Sequence, residues 1–322
     1  MDVVSDAISA LRVGRPLSSR VRARGTWCRS LAPYGGAGFH VVLEGSCWLL
    51  PENGPGITLG PGDVVLLPHG SAHVLADSPM DRSSAEHAQF FEPWTDAREE
   101  LRFIEDAGDP PAHPAGGAEL LCGKYRLDRA RAHPLMAELP DIVHVPSRVG
   151  HHRDIRSAIE LLGRESDASR PGAGIALPGL LDLLLVYLVR AWLAENQEGR
   201  TEGWSIALSD PVVAPALRAL HDDPARAWSA VSLSAEVGVS RATLTRRFTG
   251  LLGRPPMAYL TWWRMTRAAA LLREPGMSLD RVAAKVGYGS PFAFSHAFKR
   301  TFGDSPGRYR AESGARSDAA DG

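Results

Sequence analysis

The sequence of 322 residues has little cysteine and little lysine. The three cysteines, Cys28, Cys47 and Cys122, are an odd number and lack the spacing of a zinc site or a disulfide framework. We therefore expect reduced thiols and a cytoplasmic protein. Lysine supplies only three of the 36 basic residues. Because arginine replaces lysine throughout the chain, the arginine preference by itself predicts no function.

The chain also lacks an evident targeting or membrane-spanning segment. Residues 1–11 have no basic region before an apolar run, so they predict a short amphipathic helix instead of a signal peptide. The most apolar run, 173–189, is interrupted by Pro178 and Asp182 and is short for a bilayer. We therefore expect no membrane partner.

Charge is distributed unevenly along the chain, although the formal net charge is only -1. Residues 210–310 hold 15 basic and 7 acidic residues, whereas residues 1–209 hold 20 basic and 27 acidic residues. A basic last third joined to an acidic remainder predicts that only the C-terminal part meets a polyanion. Chance variation in surface charge is the alternative.

A degenerate duplication is the most informative pattern in the sequence. Residues 228–250 and 278–302 each contain a short helical pattern, a turn, and a second helix that opens on serine. Apolar residues follow at i and i+4 in both second helices: Leu244 with Phe248, and Phe294 with Phe298. This spacing faces one side of a helix and leaves the other side to solvent. Two helix-turn-helix units in tandem predict a DNA-binding protein, and a merely solvated basic face is the alternative.

A long helix is predicted between the two units. Residues 256–273 have an apolar stripe and open on proline, which is tolerated in the first turn. Eighteen residues span about 27 Å at roughly 1.5 Å per residue. That length approaches the ~34 Å repeat of DNA, so the helix could place two recognition helices in successive major grooves.

The segment VGYGSPFAFSHAFKRTFGDSPGRYR, residues 286–310, resembles the signature of the AraC/XylS family of bacterial transcription regulators. The resemblance covers residues 210–310. It implies double-stranded promoter DNA and RNA polymerase as partners. The DNA-binding positions that it and the exposed helix faces imply are Ser240, Arg241, Ala242, Thr245, Arg246, Arg247, Ser290, Pro291, Phe292, Ser295, His296 and Lys299.

The second unit departs from the family pattern. His296 stands where the family usually has arginine, and neither Pro291 nor Phe292 can form bidentate hydrogen bonds with a base. We therefore expect the second unit to act mainly through phosphates and thymine methyl groups. Arg246 in the first unit is the best candidate for direct base readout.

The N-terminal part has the pattern of β-structure. Glycine and proline punctuate nearly every strand-length run in residues 21–74, which favours an all-β barrel or sandwich. The most specific positions resemble the second cupin motif: Gly62, Pro68, Gly70, His73 and Asp77. Upstream, His40 and Glu44 match part of the first cupin motif, although Gly38 stands where another histidine is expected. The resemblance implies a small jelly roll with an interior pocket.

His40, Glu44 and His73 are candidate residues for an effector pocket and for a metal site. Two imidazoles and a carboxylate are adequate ligands for a divalent zinc, nickel or iron ion. The alternative is that they line a pocket without metal or satisfy buried backbone groups. A regulator requires no cofactor, and no catalytic residue is predicted.

A redox signal is a second candidate for control of the cupin region. Oxidation of Cys28, Cys47 or Cys122 could reshape it. Structural packing is the alternative, since Cys47 and Cys122 lie in apolar strand-like runs and buried thiols are usually inert.

Together these patterns predict an α+β multidomain chain, with an N-terminal all-β cupin (jelly-roll) domain plus helices and a C-terminal all-α domain. Expected boundaries are an N-terminal helix at 1–20, a cupin-like sensor domain at 21–165, a helical dimerisation or linker region at 166–203, an AraC-type DNA-binding domain at 204–312 and a disordered tail at 313–322. Residues 177–195 predict a helix that is apolar on several faces. One face suits a homodimer contact, and burial within a monomer is the alternative.

The sequence therefore predicts a transcription regulator that is controlled at its cupin domain by a small molecule or a redox signal. We expect an activator, and repression is the alternative. The rival is a cupin metalloenzyme, such as a dioxygenase or isomerase, with a helical appendix. A third reading is a constitutive DNA-binding protein whose barrel only supports dimerisation. The sequence does not identify the effector or the operator.

Overall fold

The computed structural model describes residues 2–12, 14–91, 101–104, 117–125, 127, 133–148, 150–166, 170–196, 202–274 and 276–311. The chain divides into two compact units. Arg12–Trp192 form one, here called the β unit, and Met1–Leu11 with Leu193–Gly322 form the other, here called the helical unit. The tail predicted to be disordered, 313–322, lies outside the described residues.

Eleven strands occur among the described residues. They are β1 (Leu17–Arg24), β2 (Cys28–Leu31), β3 (Ala37–Glu44), β4 (Cys47–Pro51), β5 (Ile57–Leu59), β6 (Val64–Leu67), β7 (His73–Ala76), β8 (Gln89–Phe90), β9 (Leu101–Ile104), β10 (Ala118–Tyr125) and β11 (Val143–Val145). A six-stranded sheet has the order β11-β6-β3-β10-β1-β9, and a five-stranded sheet has the order β5-β4-β7-β2-β8. Most pairs are antiparallel, as the predicted jelly roll requires.

Twelve helices also occur among these residues. They are α1 (Val3–Leu11), α2 (Arg82–Ala85), α3 (Pro134–Ala137), α4 (Arg153–Glu165), α5 (Ala173–Glu195), α6 (Trp204–Ala207), α7 (Val213–Asp222), α8 (Ala230–Glu236), α9 (Arg241–Leu252), α10 (Pro256–Arg273), α11 (Leu279–Lys285) and α12 (Pro291–Phe302). The predicted bounds of α10 are confirmed. The predicted N-terminal helical region is shorter than 1–20, because β1 already begins at Leu17.

The two sheets enclose an apolar core. Its buried members come from strands of both sheets: Val21, Ala23, Trp27, Leu31, Val42, Cys47, Leu49, Leu59, Val65, Leu67, Leu75, Ala118, Leu120 and Cys122. On β1, Val21 and Ala23 face this core, whereas Arg20 and Arg22 point the other way and bind Glu119. Successive side chains of a strand point to opposite faces, so a segment with several polar residues can still form a strand with one apolar face.

The long helix α5 extends further than the predicted 177–195 and contains Pro178. Its 23 residues make it long and apolar enough to cross a membrane by length and composition, and a third of its most apolar window is buried. Asp182 pairs with Arg12, and the Tyr125 hydroxyl donates a hydrogen bond to the Leu181 carbonyl. The predicted stripe is buried: Leu181, Leu184, Leu185, Leu188 and Trp192. Packing within the protein therefore accounts for much of its apolar character.

Candidate DNA-binding surface and sensor pocket

The first helix-turn-helix consists of α8 and α9. Gly238 in the turn has a φ of +70°, a conformation that favours glycine. Ser240 then caps α9, because its hydroxyl accepts a hydrogen bond from the Thr243 backbone N–H at 3.1 Å. Leu244 and Phe248 are fully buried, as the i, i+4 spacing predicts. These contacts fix α9 by one face and leave its other face to solvent.

The open face of α9 is positively charged. Arg241, Ala242 and Arg246 are exposed, and Thr245 is half-buried. Within the part of the chain that the structure describes, the head groups of Arg241 and Arg246 make no ion pair or hydrogen bond. Both guanidinium groups are therefore available to phosphates or to guanine, whose two acceptors match the guanidinium geometry.

Arg247 differs from Arg241 and Arg246, because its guanidinium forms an ion pair. Its Nη2 lies 2.6 Å from Oδ2 of Asp210, while Oδ1 of Asp210 accepts hydrogen bonds from Val212 and Val213 at the start of α7. Burial raises the pKa of Asp210, but the backbone hydrogen bonds and Arg247 outweigh burial and hold this pKa below its ordinary value. The guanidinium of Arg247 therefore ties α9 to α7, and its predicted contact with DNA stays a prediction.

The second helix-turn-helix, α11 and α12, repeats the arrangement. Gly287 has a φ of +77°, and a Cβ there would lie 2.6 Å from the Ala225 carbonyl oxygen, so only glycine fits the turn. Ser290 caps α12 by accepting a hydrogen bond from the Ala293 N–H at 3.2 Å. Phe294 and Phe298 are fully buried.

The open face of α12 has a different chemistry. Phe292 is 81% exposed, although phenylalanine is normally buried. His296 and Lys299 are also exposed, whereas Pro291 and Ser295 are half-buried. The predicted outward orientation is confirmed for Phe292, His296 and Lys299. The surface is therefore apolar at the start of α12 and cationic further along.

Sequence reasoning missed several residues that hold the helical unit together. Arg264 on α10 donates hydrogen bonds to the carbonyl oxygens of Pro224 at 2.7 Å and Arg226 at 2.8 Å. A buried network joins Asp6, His221 and Tyr259. No local signal could reveal these contacts, because the partners lie between 38 and 215 positions apart in the chain.

In the β unit, His40 and His73 form a buried pair between the two sheets. Their Nε2 atoms lie 2.7 Å apart, and His73 Nδ1 lies 2.9 Å from the Ser71 carbonyl oxygen. Because a carbonyl only accepts, His73 donates from Nδ1 and accepts at Nε2 from His40. The Nδ1 of His40 then accepts from the Cys122 thiol at 3.1 Å. Each polar hydrogen in this series of three hydrogen bonds therefore has an acceptor.

Burial keeps both imidazoles neutral. It lowers the pKa of His40 well below its ordinary value, and the neighbouring His73 lowers it further. Burial also lowers the pKa of His73 to about 4, although the hydrogen bond to Ser71 opposes this shift. The pair is therefore a neutral polar link inside an apolar core.

Glu44 does not join this pair, contrary to the prediction from the cupin motif. A β-bulge lies where β3 pairs with β10, since Leu120 is opposite Val42 but Glu119 is opposite Glu44. The extra residue turns Glu44 to the face of Glu119, away from His40, and its side chain is exposed. Of the three predicted residues, the structure therefore brings His40 and His73 together and places Glu44 apart from them.

The remaining donors also fit a three-ligand metal site poorly. Cys122 contacts Nδ1 of His40, on the opposite side of the ring from His73. The described residues contain no group of three or more His, Cys, Asp or Glu side chains that could hold an ion. A metal that replaced the shared proton would have only the two Nε2 atoms as ligands, fewer than zinc sites use.

The three thiols are poorly suited to oxidation. Burial, assisted by the charge of Asp63, raises the pKa of Cys47 to about 12. Burial likewise raises the pKa of Cys122, and proximity to Cys47 adds to the effect. Burial also raises the pKa of the half-buried Cys28, whose Sγ lies 3.4 Å from Sδ of Met80. Since the thiolate is the reactive form, these environments disfavour redox sensing.

Known proteins share both halves of this architecture. A family model described as Cupin matches residues 2–194, and one described as Helix-turn-helix domain matches residues 233–312. An AraC-like transcription regulator of Streptomyces lividans is 33% identical over 96% of this chain and 98% of its own length. The transcriptional regulator AlkR of Acinetobacter baylyi is 26% identical over 97% of this chain and its whole length.

A solved structure of the DNA-binding domain of AdpA in complex with a target DNA is 36% identical, covering 33% of this chain and 96% of that one, with a TM-score of 0.31. The matched domains define a DNA-binding transcription regulator with an N-terminal cupin domain. The chain belongs to the family of AraC-like transcriptional regulators. The predicted family and α+β multidomain fold class are thereby confirmed.

Proposed function

We propose that this regulator binds promoter duplexes sequence-specifically in the cytoplasm through α9 and α12. The observation that carries the proposal is the pair of serine-capped helices whose open faces present Arg241, Arg246 and Lys299. Cations held on rigid helices neutralise phosphates, and arginine adds base contacts. A direct test is selection of preferred duplexes from a random pool by the full-length protein. Failure to prefer any duplex over competitor DNA at low salt contradicts the proposal.

A small molecule bound by the cupin domain is proposed to control DNA binding. Support comes from the polar His40–His73 link, which joins the two sheets inside an apolar core and would respond to anything that rearranges the sheets. The test is a ligand screen by thermal shift on the full chain, followed by DNA-binding titrations with each ligand. Ligands that raise the melting temperature but leave DNA affinity unchanged contradict control. Oxidant treatment of wild type and of a variant without cysteines tests the redox alternative.

The protein is proposed to act as a homodimer through α5. Three positions on one helical face are exposed at spacings of four residues: Ile175, Gly179 and Leu183. Ile175 is 81% exposed, and an apolar stripe in water suits a two-fold contact. Sedimentation of Ile175→Glu and Leu183→Glu should show monomers if wild type is dimeric. Ser157→Glu on the exposed face of α4 is the matched control, and a monomeric wild type contradicts the dimer.

Contact with RNA polymerase is proposed to make the protein an activator. The support is the family, because similar proteins are named as transcription regulators. In vitro transcription from a promoter that contains the selected duplex should increase when the protein is added. A decrease identifies a repressor and contradicts the proposal.

We further propose that the chain is not an enzyme and needs no metal, although a divalent ion in the cupin pocket is compatible with DNA binding. The position of Glu44, on the opposite face of β3 from His40, supports this proposal. Metal analysis of the purified chain and DNA titrations with and without a chelator test it. Loss of DNA binding on chelation, or turnover of a cupin-dioxygenase substrate, favours the metalloenzyme alternative.

A further inference from the structure

The N-terminal helix α1 belongs to the helical unit, although the chain runs on from it into the strands of the β unit. It packs on α7 and α10 and buries Val3, Ala7 and Ile8. Asp6, on the same helix, is only 4% exposed. A buried carboxyl group requires hydrogen-bond partners, and the nearest one explains why this helix docks here.

That partner is His221 at the end of α7. Its Nδ1 lies 3.0 Å from Oδ2 of Asp6, and its Nε2 lies 2.7 Å from the Tyr259 hydroxyl. Burial lowers the pKa of His221, although Asp6 opposes that shift. The neutral ring donates from Nδ1 to Asp6 and accepts the Tyr259 hydroxyl proton at Nε2. Asp6 therefore determines which nitrogen carries the proton and how Tyr259 is oriented.

The network continues to the first recognition helix. The His221 ring stacks on Trp263 of α10, with centroids 4.2 Å apart. Tyr259 in turn meets Phe248 of α9 edge-on at 5.7 Å. Phe248 lies two residues from Arg246, a rotation of about 200° around a helix, so the two side chains occupy opposite faces. A shift of Tyr259 would therefore displace Phe248, which lies on the face of α9 opposite its DNA-facing surface.

We infer that Asp6 and His221 are positioning residues for DNA recognition by α9. In this role α1 contributes to DNA binding, because it supplies Asp6. Both residues lie outside the range 233–312 that matches the helix-turn-helix family model. Among the described residues, the second unit supports Phe298 differently: the ring contacts Tyr309, whose hydroxyl accepts a hydrogen bond from Arg273 at 3.0 Å. The inference assumes DNA binding by the paired helix-turn-helix units.

The test uses the full chain and a duplex that wild type itself selects from a random pool. Asp6→Ala removes the carboxylate that accepts a hydrogen bond from His221 Nδ1, so we expect about tenfold weaker binding. Footprinting should show that protection is lost over the half-site of the first unit and kept over that of the second. Asp6→Asn retains an acceptor oxygen and should restore most of the affinity.

Ser5→Ala is the matched control, because the Ser5 hydroxyl donates a hydrogen bond to the exposed Asp2, which directly precedes α1. Melting curves establish that each variant is folded at the assay temperature. Wild-type affinity and footprint for Asp6→Ala overturn the inference. Equal loss of both half-sites together with a lower melting temperature also overturns it, because the role is then only structural. If wild type selects no duplex, that result contradicts the proposed DNA binding itself. It is thereby distinguished from a failure of the positioning role, which appears only in the Asp6 variants.

Discussion

The two recognition helices, α9 and α12, are alike where they are buried and different where they are exposed. Each has 12 residues, a serine cap, a glycine at its C-terminal end and two fully buried residues at the same spacing. Their open faces share little, since α9 presents two exposed arginines and α12 presents phenylalanine, histidine and lysine. The packing of a helix-turn-helix and its DNA chemistry are thus separable, because they occupy opposite faces of one helix.

The largest expected effect is on stability, and it concerns the buried phenylalanine that each of the two helix-turn-helix units contains. Phe248→Ala and Phe298→Ala each remove a fully buried ring, so each should lower the free energy of unfolding by about 3–5 kcal/mol. Calorimetry of the full chain measures both losses. If one substitution is nearly neutral while the other is severe, the two cores are not equivalent and the comparison breaks.

The next largest effect is on DNA affinity, and it concerns the exposed arginines that distinguish α9 from α12. Arg246→Ala removes an exposed guanidinium from the open face of α9, so specific DNA binding should weaken by roughly 1–3 kcal/mol and preference should relax at one base pair. Titration of the selected duplex and of its single-base variants measures both quantities. Arg218→Ala on the exposed side of α7 is the matched control. Unchanged affinity and preference for Arg246→Ala would show that the residue has no role in readout.

A smaller effect is expected at the start of α12. Phe292→Ala removes an exposed ring that suits a thymine methyl group, and loss of one such contact is worth about 0.8 kcal/mol. The measurement is the affinity for the selected duplex with thymine or with uracil, which lacks the methyl group. The variant should be indifferent to this exchange while wild type is sensitive. An equal sensitivity in both proteins would remove the proposed contact.

The smallest effect at physiological salt is expected for Lys299→Ala. An exposed lysine at this position suits a phosphate, so binding should weaken uniformly across sequences and the salt slope should fall by about one. Titrations at several salt concentrations give the slope. Lys124→Ala in the β unit is the control. A change in base preference for Lys299→Ala would instead assign base readout to the second unit.

Local patterns predicted the helical unit well and the β unit less well. The serine caps, the paired apolar residues and the bounds of α10 depend on neighbours within one helical turn, and the structure confirms them. The His40–Glu44 spacing predicted a shared face only for a regular strand. The bulge beside Glu119 breaks the period of two, and no pattern within β3 signals it.

By itself, the order of amino acids determined the family, the tandem recognition helices and their charged or apolar surfaces, since caps and helical periodicity act over a few residues. Tertiary structure alone decided which polar groups meet. It joined Asp6 to His221 and Arg247 to Asp210, and it paired His40 with His73 while Glu44 was turned away. These contacts depend on how distant segments pack, and a buried polar group takes whichever partner that packing brings within hydrogen-bonding distance.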